Sequence, residues 1–256
     1  MPLTPSQLDR HARHIVLPEI GGVGVARLTA AHVVLVGMGG IGCPALQYLA
    51  GAGVGRLTLI DDDTVDLSNL QRQTLFTPAD IGRPKARRAA DWVQGFDPAI
   101  MVTPVTERIT PANAAALLTG ADVILDGTDN FATRLLVSDT ATALHIPLVS
   151  AALGRFQGQI GTFAGWLPDQ PCYRCFVGDA FDAEDCDTCA EQGVLGAMVG
   201  MVGSFAAMEA VRAITGFGDD PGGKLHLIDG LKPLWRTLKI AKDPGCRTCG
   251  NPTSPA

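Results

Sequence analysis

Val33-Val34-Leu35-Val36-Gly37-Met38-Gly39-Gly40-Ile41-Gly42 is the stretch that decides the fold. An unbroken apolar run rich in β-branched residues suits a strand covered on both faces. The glycines that follow make a tight turn, and the apolar stretch through Ala52 reads as a helix. Leu57 to Ile60 then gives a second strand ending at Asp61, so Val33 to Asp61 forms one βαβ unit, the building block of a parallel sheet. The rhythm continues outward, with helices expected at Pro84 to Gln94, Pro111 to Leu118 and Ala132 to Leu144. Strands alternate with them at Ile100 to Val105, Val123 to Leu125 and Pro147 to Ala151. Beyond Ala151 the strands Gly158 to Phe163, Lys224 to Ile228 and Leu234 to Ile240 follow without that alternation, so the sheet becomes mixed. The expected fold is α/β, a Rossmann-like doubly wound mixed sheet of roughly eight strands.

At 256 residues and 46 % hydrophobic content, the chain is long enough for a full core in one large domain. A net charge of −6 argues against a general nucleic-acid binder, which needs a surplus of Lys and Arg to neutralise phosphates. The amino terminus, Met1 to His14, is polar and lacks an apolar export core, so a cytoplasmic location is expected. Gly193 to Met208 is uncharged and carries Gly196 and Gly200 at a spacing known from membrane helices. It falls short of the ~20 residues that span a bilayer, and Glu209 and Arg212 follow at once. A buried helix of a soluble protein, with no membrane partner, is expected.

Gly37, Gly39 and Gly42, after a strand and before a helix, let backbone N–H groups and the positive helix end meet a phosphate. Asp61 at the end of the next strand suits a ribose hydroxyl pair. This pattern serves nicotinamide or flavin binding as well as ATP, and a merely structural turn has the same form. The two cations downstream, Arg72 and Lys85, favour ATP. An enzyme whose reaction occurs at the α-phosphate needs preorganised cations for the charge that grows there and on departing pyrophosphate. Arg83, Arg87 and Arg88 read instead as a solvated face. Asp129 follows the strand at Val123, near the carboxyl edge of the sheet where doubly wound folds place ligands; helix capping by Asp129 or Asn130 is the structural alternative.

Longer motifs surround these residues: Arg10-His11-Ala12-Arg13-His14, Asp61-Asp62-Asp63, Ser68-Asn69-Leu70-Gln71-Arg72-Gln73, Pro84-Lys85 and Thr128-Asp129-Asn130. To these are added Pro171-Cys172-Tyr173-Arg174-Cys175, Thr188-Cys189 and Pro244-Gly245-Cys246-Arg247-Thr248-Cys249. Over nearly the whole chain the sequence resembles the ubiquitin-activating-like adenylyltransferases, in particular the bacterial molybdopterin-synthase and thiazole-biosynthesis branches. The resemblance implies the ubiquitin-activating-enzyme adenylation fold in a homodimer, with ATP and Mg2+ held by Gly37, Gly39, Gly40, Gly42, Asp61, Asp63, Asn69, Arg72, Gln73, Lys85, Asp129 and Asn130. Within that set Asp61 would take the ribose, Asn69, Arg72 and Lys85 the phosphates, and Asp129 the magnesium. Arg13 would reach the nucleotide of the neighbouring subunit. The chain departs from the family at His11, where an aromatic Tyr is usual.

Three Cys-x-x-Cys pairs occur, Cys172/Cys175, Cys186/Cys189 and Cys246/Cys249, and Cys43 stands apart. In a reducing compartment they favour metal or thiol chemistry over disulfides. Spacing alone prefers a compact knuckle of the first two pairs. The resemblance implies the other choice: Cys172, Cys175, Cys246 and Cys249 on a structural Zn2+, with Cys189 on a loop used for covalent transfer in some branches. Cys43 reads as a small core residue.

The implied activity is ATP-dependent adenylylation of the C-terminal glycine carboxylate of a small ubiquitin-like sulfur-carrier protein ending in Gly-Gly, ahead of thiocarboxylate formation for molybdopterin, thiazole (thiamine) or a related pathway. With no rhodanese-type domain after the last cysteine pair, a separate sulfur donor is expected. The implied organisation is one adenylation domain over residues 1–250, made of an arm (1–30), a nucleotide-binding half (31–151) and a mixed-sheet and zinc half (152–250), then a loose tail (251–256). The alternatives are a tRNA-base dehydratase-type adenylating enzyme, an NAD-dependent oxidoreductase supported only by the glycine loop and Asp61, and a scaffold without activity.

Overall fold

The computed structural model describes residues 3–178 and 193–250. Its strands are β1 (His32–Val36), β2 (Arg56–Ile60), β3 (Met101–Val105), β4 (Val123–Asp126), β5 (Leu148–Gly154), β6 (Gln157–Phe163), β7 (Lys224–Asp229) and β8 (Leu234–Lys239). They form one sheet in the order β3-β2-β1-β4-β5-β6-β7-β8. The pairs from β3 through β5 are parallel and those from β5 through β8 antiparallel. This is the expected mixed sheet. Every residue of β1 is buried, as a central parallel strand requires. Successive side chains point to opposite faces, so Val33 and Leu35 join the core cluster that holds Leu46, Leu57 and Val202, whereas Val34 and Val36 join the one with Leu118, Ile124 and Val137.

Helices α1 (Pro5–Arg10), α2 (Ala12–Ile15) and α3 (Gly21–Ala30) form the amino-terminal arm. The sequence reads only as a polar opening there, because α1 and α2 bury no residue of their own. His11, between them, is buried and sits against Gly53, where an added Cβ would lie 2.5 Å from its ring. Burial lowers the pKa of His11, with His14 and Arg10 acting in the same direction. Arg10 pairs with Asp97 at 3.1 Å and lies over the Phe96 ring, fastening the arm to the body.

Helix α4 (Gly42–Ala52) follows β1, and α5 (Lys85–Phe96), α6 (Ala114–Leu118), α7 (Phe131–Leu144), α8 (Tyr173–Val177) and α9 (Gly196–Thr215) complete the described α-helices. α9 is 20 residues long, and by length and apolar composition alone it could cross a membrane. Here Val199, Val202, Ala206 and Ala210 are buried in the protein core. It begins later and runs further than Gly193 to Met208, because Glu209 continues it as a buried residue paired with Arg212 at 3.0 Å. Its close approach to α4 falls at Gly203, where a Cβ would meet Ile41 O at 2.5 Å. Gly200, singled out by its spacing, meets nothing within 4 Å.

Candidate functional site

β1 connects through α4 to β2 on one side, while β4 lies on its other side. The crevice beyond the carboxyl ends of β1 and β4 is therefore a topological switch point, the usual ligand position in open α/β sheets. A cavity of about 370 Å³ opens there, lined by the loops after β1, β2, β3 and β4.

The glycine loop is shaped by its own backbone. Gly37 leaves β1 at φ +90°, a left-handed conformation that favours glycine. At Gly42, a Cβ would lie 2.0 Å from Gly37 O, so the chain can fold back on itself only without one. Asp61 ties this loop to the next strand: Met38 N–H donates to its Oδ2 at 2.6 Å and Asp63 N–H to its Oδ1 at 2.8 Å. Burial pushes the Asp61 carboxyl above its ordinary range, against the opposing pull of Lys85 and the two N–H donors.

Lys85 opens α5 and is only 6 % exposed. Its backbone N–H donates to Asp63 O at 2.9 Å and its Nζ reaches Asp63 Oδ2 at 3.0 Å. Arg72 donates from Nη1 to Ser68 O at 3.0 Å. Asn69 accepts the Asp66 N–H at 3.2 Å, so it shapes its turn as well as the cavity wall. Gln73 is buried, and its Oε1 has no hydrogen-bond partner among the described residues. An orphaned amide oxygen on a residue of the cavity wall beside Gly39 fits a site built for a polar ligand. The expected solvated arginines divide: Arg88 donates to buried Asp80 at 2.6 Å and Arg83 bridges Asp80 and Asp91, while Arg87 is exposed.

Beyond β4, Asn130 is the N-cap of α7, accepting from Thr133 N–H at 2.9 Å. Asp129 is exposed on the cavity wall and has no hydrogen bond or ion pair among the described residues. Of the two capping candidates, then, Asn130 takes that task and Asp129 does not. The cavity thus brings together Gly37, Gly39, Gly40, Asp61, Asp63, Asn69, Arg72, Gln73, Lys85, Asp129 and Asn130. Gly42 shapes the loop from behind, and Arg13 is exposed on the arm outside the cavity lining.

Sequence reasoning missed four polar residues here. Glu107 and Arg108 line the wall after β3, and Arg134 donates to Thr128 O from the first turn of α7. Asp126 is fully buried, accepting from Thr128 N–H at 3.0 Å and from Ser150 Oγ at 3.3 Å. An acid closing an apolar strand was the available signal for Asp126.

Beside α7, the sulfurs of Cys172, Cys175, Cys246 and Cys249 all lie within 4.8 Å of one another. Contacts of 3.4, 3.6 and 3.9 Å link them. Zinc bound tetrahedrally by thiolates at about 2.3 Å spaces its sulfurs by about 3.8 Å, so this donor set fits a closed zinc site. Among the described residues it is the two pairs distant in sequence that meet. Cys186 and Cys189, the other half of the local knuckle, lie outside the described residues, as does the expected transfer role of Cys189. Cys43 is buried, and burial pushes its thiol far above its ordinary range, as suits an inert core residue.

Against known proteins, residues 11–248 match the model of the ThiF family. The chain belongs to the ThiF family. Among curated relatives, this ThiF-family chain is 42 % identical over 248 residues to the molybdopterin-synthase adenylyltransferase of Escherichia coli, covering 97 % of this chain and 98 % of that one. It is likewise 42 % identical to the SAMP-activating enzyme E1 of Haloferax volcanii, over 97 % and 91 % of the two chains. The sulfur carrier protein adenylyltransferase of Thermus thermophilus matches at 41 % over 97 % and 93 %. Among solved structures, E. coli MccB superposes with a TM-score of 0.83 at 22 % identity, covering 96 % of this chain and 74 % of that one. PaaA superposes at 0.80 and 22 %, covering 94 % and 76 %. At such identity these neighbours bear on the fold alone, and they place it among E1-like adenylation folds.

Proposed function

We propose that this ThiF-family protein is an adenylyltransferase that uses ATP to activate the C-terminal glycine carboxylate of a small ubiquitin-like sulfur carrier ending in Gly-Gly. The observation that carries this reading is that Arg72, buried Lys85 and exposed Asp129 line one cavity with the glycine loop at a switch point. Hydride transfer from a nicotinamide does not build up charge on a phosphate, so it does not require such a pair of cations. The names of the three curated relatives given above, two adenylyltransferases and an activating enzyme, point the same way.

In the proposed reaction, a carboxylate oxygen of the carrier attacks the α-phosphorus of ATP and the bond to the β-phosphate oxygen breaks. An acyl-adenylate and pyrophosphate result. The carboxylate is already ionised at neutral pH, so no general base is needed, and the work of the site is orientation and charge stabilisation. Asp61, fixed by two backbone donors, would take the ribose hydroxyls. Glycine-loop N–H groups, Asn69, Arg72, Gln73 and Lys85 would take the phosphates, Lys85 already neutralising part of the negative field of Asp63. Mg2+ held by Asp129 would offset phosphate charge. Zn2+ on the four outer cysteines would hold the second half of the fold closed.

The same reading takes the protein as a cytoplasmic homodimer of single adenylation domains (1–250) in which Arg13, exposed on its arm, serves the neighbouring subunit's nucleotide. A separate sulfur donor would then replace AMP by sulfur, with Cys189 the candidate for covalent transfer. The test is ATP–pyrophosphate exchange with and without a Gly-Gly-terminated carrier. Carrier-dependent exchange supports the proposal; exchange or turnover driven by tRNA alone would move the protein to the dehydratase class.

A further inference from the structure

The two cysteine segments are joined by a side chain that belongs to neither. In Cys172-Tyr173-Arg174-Cys175, the Arg174 guanidinium turns onto Asp139 of α7, with Nε donating to Oδ1 at 2.8 Å and Nη2 to Oδ2 at 2.7 Å. In Cys246-Arg247-Thr248-Cys249, the Thr248 hydroxyl donates to the same Oδ1 at 2.8 Å. One carboxylate therefore clamps two segments whose facing cysteines are 74 residues apart.

The clamp has the chemistry to hold. Arginine meets a carboxylate with a planar fork, and a charge-assisted pair of this kind is among the stronger hydrogen-bonded contacts. The Arg174 side chain is 7 % exposed and that of Asp139 34 %, so the pair is only partly screened by water. Each cysteine segment is also a tight turn in its own right: Cys175 N–H donates to Cys172 O at 3.1 Å and Gly250 N–H to Cys246 O at 2.7 Å. Two rigid turns fixed to one anchor present four sulfurs together. Besides this anchor, the second segment meets the first through Asp243 N–H, which donates to Cys175 Sγ at 3.4 Å, and through Lys242 Nζ, which donates to Gly165 O and Leu167 O ahead of it.

We propose that Asp139 is the positioning residue of the four-thiolate centre, holding both cysteine turns in register through Arg174 and Thr248 and so slowing metal loss. This rests on the reading of Cys172, Cys175, Cys246 and Cys249 as zinc ligands. A ligand set arranged in advance loses less conformational freedom on binding, and removing such outer partners costs about 10–100-fold in metal affinity.

The experiment first measures the zinc content of the purified full-length protein, then the rate of zinc transfer to a chromogenic chelator. Asp139→Asn keeps the shape but loses the charge, and it should release zinc about tenfold faster or more. Thr248→Val should also accelerate release, and Thr248→Ser, which keeps the hydroxyl, should restore a rate within about twofold of the unmutated protein. Val137→Ala, truncating a fully buried side chain on the same helix without touching the clamp, should destabilise the fold yet leave the rate unchanged. Unchanged rates in both Asp139→Asn and Thr248→Val overturn the inference, as does equal acceleration by Val137→Ala. An unmutated protein free of zinc overturns the zinc reading itself, a failure seen before any variant is made.

Discussion

Replacing Lys85 by Met removes one charge from the cavity while keeping a chain of similar length in its place. The ammonium is buried at 6 % exposure and already oriented by Asp63 at 3.0 Å, so it needs no reorganisation when charge develops on a nearby phosphate. Losing one preorganised partner of this kind costs about 2.7–4 kcal/mol, or roughly 10²–10³ in rate. Its contribution to folding is much smaller. The Asp63 side chain is 69 % exposed, so solvent screens the pair and holds its worth to about 1 kcal/mol or less. In a chain of this size that corresponds to a shift of about 2–4 °C in Tm. Carrier-dependent ATP–pyrophosphate exchange at saturating ATP should therefore collapse in Lys85→Met while thermal denaturation stays nearly in place. Lys85 also holds the Asp61 carboxyl down against burial, so the acid limb of the residual activity should move to higher pH. Exchange within about threefold of wild type would refute the assignment of Lys85 to the transition state.

Further expectations concern the other polar groups. Asp61 has a folded-state pKa raised by burial, so between its unfolded and folded pKa values the folded protein binds the extra proton, and stability falls as pH rises through that window. Asp61→Asn escapes this loss: its stability relative to wild type, followed by chemical denaturation, should be more favourable at pH 7 than near pH 3, while nucleotide binding by calorimetry is lost. Asn130→Ala removes an N-cap and should cost about 0.5–2 kcal/mol of stability, whereas Asp129→Ala should leave stability unchanged and abolish exchange. Cys246→Ser should lower zinc content and thermal stability together, with about one zinc per chain in the unmutated protein; retention of zinc would restore the local knuckle.

The parallel half of the sheet was legible because its signals are local. β1 is unbroken and apolar, Gly37 takes a left-handed conformation that favours glycine, Gly42 sits where a Cβ would lie 2.0 Å from Gly37 O, and helices alternate with strands along the chain. The arm was not legible, since α1 and α2 are short and bury nothing; what holds them is His11 over Gly53 and Arg10 on Asp97, contacts visible only once α4 and α5 are in place. The meeting of the two outer cysteine pairs was not legible from spacing for the same reason. α9, β7 and β8 intervene between Cys175 and Cys246 and fold back on the sheet, bringing the distant pair closer than chain separation suggests. The four cysteines that lie together among the described residues are the set the resemblance implies, and chain separation alone gives no sign of their meeting.

The segment from Asp126 to Arg134 explains why a structural reading and a functional one compete at a single dipeptide. Asp126 accepts from the Thr128 N–H and hydroxyl, Arg134 donates to the Thr128 carbonyl, and Asn130 caps the helix. Together these three fix the backbone on both sides of Asp129. Asp129 takes no part in holding it, and a carboxylate exposed at a cavity wall without a partner contributes nothing to the fold that would account for its place. Its neighbours instead deliver it, oriented, to the same cavity as Arg72 and Lys85. Such an arrangement fits a group whose partner arrives with the substrate. The helix that begins here also carries Asp139 to the cysteine turns, so one rigid element sets the position of the acid at the cavity and of the anchor at the thiolates.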